Sequence, residues 1–166
     1  MLNESRERFI NVFQQSPLSL EIFDLQGNQL QANHAWFGLM GIENYNEKLT
    51  YNIFDDPNFQ NKLIKDDIEK AFTGEIVEFI DLEYNPKLLN YNGSLKYLRS
   101  KFYPIKDNVG LIKNLVVTHE DISETKKYEK ELFRLVTAID QADEDIFITD
   151  IEGAIQYVNP AFERTT

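Results

Sequence analysis

Two stretches of the chain repeat one pattern at a fixed distance. Asp24-Leu25-Gln26-Gly27 is followed by Asn33-His34-Ala35-Trp36, and Asp150-Ile151-Glu152-Gly153 is followed by Asn159-Pro160-Ala161-Phe162. Matched positions keep one offset of 126 residues, from Asp24 to Asp150 and from Asn33 to Asn159. Internal repetition limits the fold more than any single motif, because each copy must be a module able to close on its own frame. The second copy reaches Thr166 soon after its first helix would begin. The expected layout is therefore one complete module, a connecting helix and the truncated opening of a second module, as in a piece of a longer protein.

The connection between the copies is legible as well. Leu115-Val116-Val117-Thr118 has the β-branched, apolar composition of a strand. Asp121-Ile122-Ser123-Glu124 reads as a helix start, with Asp121 as cap and Glu124 three residues on to close a capping box. Tyr128, Leu132, Leu135, Ile139 and Ala142 follow at spacings of four and three, the seam of a two-stranded coiled coil. A strand running straight into a seam helix suits a device that passes a displacement along, and Leu132, Leu135 and Ile139 are the expected homodimer contacts.

Charge and cysteine usage exclude several classes. Lys and Arg total 17 against 28 Asp and Glu, a net charge of −11, with no basic tract to hold nucleic acid or an anionic membrane surface. The chain has no cysteine, so disulfides, thiolate metal sites and cysteine nucleophiles are absent. No apolar run approaches the roughly 18 residues of a membrane span, and Met1-Leu2-Asn3-Glu4 is no signal peptide, so a cytoplasmic location is expected.

Residues 1–15 read as an amphipathic helix with Leu2, Phe9 and Phe13 on one side, broken at Ser16-Pro17. Leu20 to Phe23 and Asn28 to Ala32 are strands joined by a tight turn, and Asn33 caps a short helix ended by Gly41. Asn61 to Phe72 is a longer helix with Ile64, Ile68, Ala71 and Phe72 on one face. Three strands follow, Glu75 to Tyr84, Ser94 to Ile105 and Leu111 to Glu120, the middle one alternating Leu98, Ser100 and Phe102 against Tyr97, Arg99, Lys101 and Tyr103. The sum is an α+β module with one antiparallel sheet.

This order, with the turn at Asp24 and Gly27, the helix start at Asn33, the helix stop at Gly74 and the closing Asp121-Ile122-Ser123, resembles the PAS domain family. The resemblance covers residues 16–122 fully and 142–166 in part, with 1–15 and 123–141 as flanking helices. It implies a five-stranded antiparallel sheet of order 2-1-5-4-3, closed on one face by helices around a small-molecule pocket. Similar tandem stretches precede histidine kinase or diguanylate cyclase output domains, so the resemblance implies a sensor of a two-component phosphorelay with no catalysis of its own. A ligand-free dimerisation spacer is the alternative.

Pocket candidates are Trp36, Phe37 and Met40 on the first helix, Leu63, Ile64, Ile68 and Phe72 on the second, and Phe79, Leu98, Phe102, Leu115 and Val117 on the strands. The same residues serve equally as a filled apolar core. His119 alternates with Leu115 and Val117 and so points inward with them, at the position where the flavin-binding branch of the family carries its relaying glutamine. It can hydrogen-bond a ligand or change charge near neutral pH. Asp121 and Ser123 are the relay candidates at the strand–helix junction. A cysteinyl–flavin adduct is impossible without cysteine. Haem is disfavoured because Asn61 to Phe72 holds no histidine. A noncovalent flavin with Trp36 as stacking partner stays open, and so does another small organic ligand. An acid would need Arg99 or Tyr97 to turn inward, against the alternation. Aspartate runs such as Asp55-Asp56 and Asp66-Asp67 lack the spacing of a calcium loop. A small enzyme built on His119 with Glu120 or Asp121 is disfavoured, because neighbouring strand residues face opposite ways.

Overall fold

The computed structural model describes residues 2–44 and 50–165, with side chains from Glu4 onward. The chain divides into two compact units, Met1–Ser123 and Glu124–Thr166. In the first, helix α1 (Leu2–Gln15) leads into strands β1 (Ser19–Phe23) and β2 (Gln29–Ala32), then helices α2 (His34–Met40) and α3 (Lys62–Thr73), then strands β3 (Val77–Tyr84), β4 (Lys96–Lys106) and β5 (Ile112–Asp121). The sheet is antiparallel with order β2-β1-β5-β4-β3, the order expected.

Alternation along the strands divides the sheet into two faces. Phe23, Leu98, Phe102, Leu115 and Val117 lie on the inner face, fully buried under α2 and α3 with Trp36, Met40 and Ile68. The outer face carries Leu20, Ile22, Tyr103, Ile105 and Val116, which with Phe9 and Phe13 of α1 line a small apolar groove. Strand β3 changes parity part-way. Its pairing with β4 shifts between Phe79 and Leu82, and Asp81 adopts a positive φ of 67°. This bulge lets Phe79 before it and Leu82 and Tyr84 after it all reach the core.

One side chain ties the start of the module together. Asn33 is fully buried, and its Oδ1 accepts from the backbone N–H of Trp36 (3.1 Å) and of Leu20 (2.9 Å). Its Nδ2 donates to the carbonyls of Phe13 (3.1 Å) and Leu18 (2.8 Å). It thus caps α2 while holding the end of α1 and the entry of β1. Gly41 ends α2 at a positive φ of 69°, and a Cβ there would lie 2.4 Å from the Gly93 nitrogen. That close approach, with Gly93 N–H donating to Met40 O, holds the loop before β4 against α2.

The second unit holds α4 (Ser123–Asp140), the hairpin of β6 (Phe147–Thr149) and β7 (Ile155–Val158), and α5 (Pro160–Thr165). It reproduces the main bonds that open the first. Asn159 Oδ1 accepts from Ile146 and Phe162 N–H, and its Nδ2 donates to the carbonyls of Ile139 and Glu144. Each partner lies one repeat length from its Asn33 counterpart. Asp24 accepts from Gln26 and Asn28 N–H, and Asp150 accepts from Glu152 and Ala154 N–H. Even the irregularity between Ile22 and Phe23 recurs between Ile148 and Thr149. The end of α4 is thus held to the second unit as the end of α1 is held to the first.

Asn33→Ala strands several buried backbone groups along with the cap. We expect a loss of about 2–4 kcal/mol in urea-induced unfolding. A loss below about 1 kcal/mol shows that water replaces these bonds and that the clasp is not structural.

Candidate ligand-binding site

The inner face is not wholly apolar. His119, at the β5 end of the row Leu115, Val117, His119, is buried with the others. Its Nδ1 lies 2.7 Å from Ser100 Oγ on β4, and its Nε2 lies 3.0 Å from Glu21 Oε1 on β1. These contacts follow from register, because His119 pairs with Ser100 on one side and with Ser19, two residues before Glu21, on the other. With a carboxylate acceptor at Glu21, the tautomer that donates from Nε2 leaves Nδ1 to accept from the Ser100 hydroxyl, so both contacts are satisfied at once. Gln29 Nε2 donates to Glu21 Oε2 at 2.7 Å from the edge strand.

A second buried carboxylate sits beside this line. Asp56, fully buried, accepts from the phenols of Tyr51 and Tyr84 on one oxygen, both at 2.7 Å. On the other oxygen it accepts from the backbone N–H (2.8 Å) and side-chain amide (2.9 Å) of Asn58. Four donors saturate it, and it closes the short 3-10 turn Pro57–Phe59 as well. Burial first, and then the charges of Asp56 and Glu21, push both phenols well above the ordinary tyrosine value. The Tyr84 ring also lies 6.3 Å from the His119 ring, so the two polar clusters adjoin.

Trp36 is fully buried, 5.2 Å from Phe37, 6.3 Å from Tyr51 and 6.2 Å from Tyr91, centroid to centroid. Its indole N–H has no acceptor. Tyr51 and Tyr91 go on to line a cleft of about 490 Å³ with Asn28, Gln29, Asn52 and Asp55. Gln29 and Tyr51 therefore each face the cleft while holding one of the two buried carboxylates.

Among the anticipated pocket residues, Trp36, Phe37, Met40, Ile68, Leu98, Phe102, Leu115 and Val117 lie together in the core. Ile64, Phe72 and Phe79 are partly buried at its margin, Phe72 against Phe54 at 4.9 Å and Phe79 edge-on to Phe102 at 5.5 Å. Leu63 is not among them. It is 74% exposed, because the helix turns its 64–68–71 stripe inward and places the preceding residue about 100° away. Arg99 faces outward and pairs with Glu120. Five polar members of the site, Glu21, Tyr51, Asp56, Tyr84 and Ser100, were not singled out from sequence. Strand alternation could have found Glu21 and Ser100, which share parity with Phe23 and Phe102. Tyr51 and Asp56 lie in irregular chain that carries no periodic signal.

The relay candidates meet at the β5–α4 junction. Asp121 accepts from Ser123 N–H at 2.9 Å and pairs with Lys96 at 2.8 Å. Burial raises the Asp121 pKa, but the bonds from Lys96 and Ser123 outweigh it and hold the group below the ordinary aspartate value. Tyr97 of β4 donates its N–H to Ser123 Oγ (2.9 Å) and accepts from Ile122 N–H (2.8 Å). Asp121 stands as the last residue of β5 and bonds forward to Ser123, so the end of the first unit is tied to β4 by Tyr97 at Ser123 and by Lys96 at Asp121.

Residues 131–166 match the family model described as PAS domain. Among solved structures, an RNA-binding light-oxygen-voltage receptor superposes with TM-score 0.63 at 15% identity, covering 80% of this chain and 37% of that one. The PAS domain of an HTR-like protein from Haloarcula marismortui gives 0.53 at 16% identity, covering 72% and 99%. VqmA bound to DPO gives 0.53 at 21% identity, covering 69% and 57%. The fold is the PAS fold. No curated protein matches the chain. The family match falls on the second copy, whose counterpart at the repeat distance is residues 5–40 of the first module. The chain spans little more than a third of the light-oxygen-voltage receptor that it resembles. Among the described residues no helix is long and apolar enough to cross a membrane.

The raised phenol pKa values set an alkaline limit. A phenol whose folded pKa exceeds its unfolded value adds stability that is complete below the unfolded value of about 10 and is lost as pH rises through the folded one. We expect stability to fall above pH 10, with Tyr51 and Tyr84 ionising only as the chain unfolds in an ultraviolet titration. Eight tyrosines that titrate in one step in the folded chain would overturn the assignment.

Proposed function

We propose that the first module is a sensor domain that takes a small molecule between the sheet and α2–α3. The observation that carries this is the placement of Glu21, His119 and Ser100. A purely structural core gains little from a buried carboxylate, since burying charge is costly unless a specific partner uses it. The adjoining cleft has a volume in the usual range for small ligands. A PAS-fold neighbour, VqmA bound to DPO, lends further support.

The signal then leaves through β5. A ligand held beside Glu21 bears through His119 on the strand that ends at Asp121, and the bonds of Asp121 and Ser123 to β4 convert a strand shift into a changed pose of the first turn of α4. Leu132, Phe133, Leu135 and Val136 stand exposed on this helix, a surface suited to a second copy of the same helix in a homodimer. The output domain in this reading is a histidine kinase in the cytoplasm, as the family resemblance implies, and the fragment has no catalysis of its own. One structural neighbour is an RNA-binding receptor and another, VqmA, has a target DNA, so the fold itself serves several outputs.

A second reading, a ligand-free spacer, is favoured by the dense aromatic packing of Trp36, Phe37, Tyr51 and Phe59. Native mass spectrometry of the purified chain separates the two. A small molecule that dissociates on denaturation supports the sensor. Apo protein that binds nothing from a metabolite extract supports the spacer.

The helix seam has its own test. Leu132→Glu with Leu135→Glu is expected to halve the mass seen by light scattering while leaving the circular dichroism of the module intact. An unchanged mass would remove these residues from the dimer contact.

A further inference from the structure

The class of ligand can be read from the charges around the cleft, resting on the sensor reading above. Among the described buried residues there are two carboxylates, Glu21 and Asp56, and no lysine or arginine. Asp56 is saturated by four donors, whereas Glu21 receives two, one per oxygen. An ionised carboxylate offers about four acceptor positions, so Glu21 retains capacity that the protein does not fill. An independent feature lies behind the aromatic wall that Tyr51 and Tyr91 give the same cleft. The buried Trp36 N–H has no acceptor, although such groups nearly always find one, and its ring packs on Tyr51 and Tyr91.

We propose that the pocket recognises a small organic amine that also carries an oxygen acceptor. The protonated amine would take the place of the Gln29 side-chain amide on Glu21. Tyr51 and Tyr91 supply aromatic rings, which attract a cation through their quadrupoles. The oxygen of the ligand accepts from Trp36 Nε1. Carboxylate and phosphate ligands are disfavoured here, since they would be desolvated beside two carboxylates with no buried lysine or arginine among the described residues to meet them. His119 keeps its bond to Glu21 on ligand entry, which links the anchor on β1 to β5 and so to the junction with α4.

Trp36 is the chain's one tryptophan, so its fluorescence reports on this site alone. The probes are phenylethanolamine, its neutral analogue phenylethylene glycol, and mandelate, titrated into the chain at pH 7. The expected result is a saturable emission change with the amine at least tenfold tighter than with the other two. Glu21→Gln should weaken the amine by roughly 10- to 100-fold, the usual size of a lost charge-assisted bond, and weaken the glycol far less. Gln29→Ala, at the half-exposed edge strand, removes the competitor and should tighten the amine several-fold relative to the glycol. It decides the matter if Glu21→Gln does not fold. Mandelate or glycol binding as tightly as the amine, or amine affinity indifferent to both substitutions, overturns the amine assignment while leaving a pocket in place. No saturable response from any of the three overturns both the assignment and the pocket.

Discussion

The side chain of Asn33 is the constraint on which the rest of the module depends. Three segments that are strangers in sequence meet at it: the last turn of α1, the entry to β1 and the first turn of α2. Each presents backbone groups that would otherwise be buried without partners, and one amide serves them all because it is donor and acceptor at once. With that point fixed, β1 lies where it can pair with β5, and α2 lies where Trp36 and Met40 cover the inner face. The position of Glu21 under the helices follows from the same anchoring, one alternation along from Ser19.

Much of the fold was legible because its signals are local. The turn at Asp24, the cap at Asn33, the stop at Gly74 and the alternation of Leu98, Ser100 and Phe102 each act within a few residues. Their order with the resemblance gave the five-stranded sheet with its strand order. The polar centre was harder to read. His119 could be placed inward by its parity with Leu115 and Val117, but its partners are set by cross-strand register, which a single sequence does not display. Tyr84 was hidden by the bulge at Asp81, which switches the inward parity of β3 from odd to even positions. Leu63 was misplaced for the converse reason, since an apolar residue at the edge of a helical stripe looks like part of it.

Two kinds of buried carboxylate emerge, and their difference lies in valence. Asp56 is fully engaged and joins Tyr51, Tyr84 and the turn at Pro57, so it behaves as a structural knot. Glu21 is held by His119 and Gln29 and no more. The same centre that stiffens the inner sheet thus contains one group with bonding capacity to spare, and that group sits on the strand next to the one that continues into α4.

The clasp has a further property. All the bonds of Asn33 and Asn159 described above run to main-chain atoms, so the frame is indifferent to which side chains stand at the positions it joins. Leu20 and Ile146, Leu18 and Glu144, Trp36 and Phe162 are interchangeable as far as the asparagine is concerned. Glu21 itself answers to Phe147 in the other copy. A duplicated frame of this kind conserves its shape while its lining drifts, so a tandem pair can come to hold unlike interiors without either copy having to reinvent how it folds.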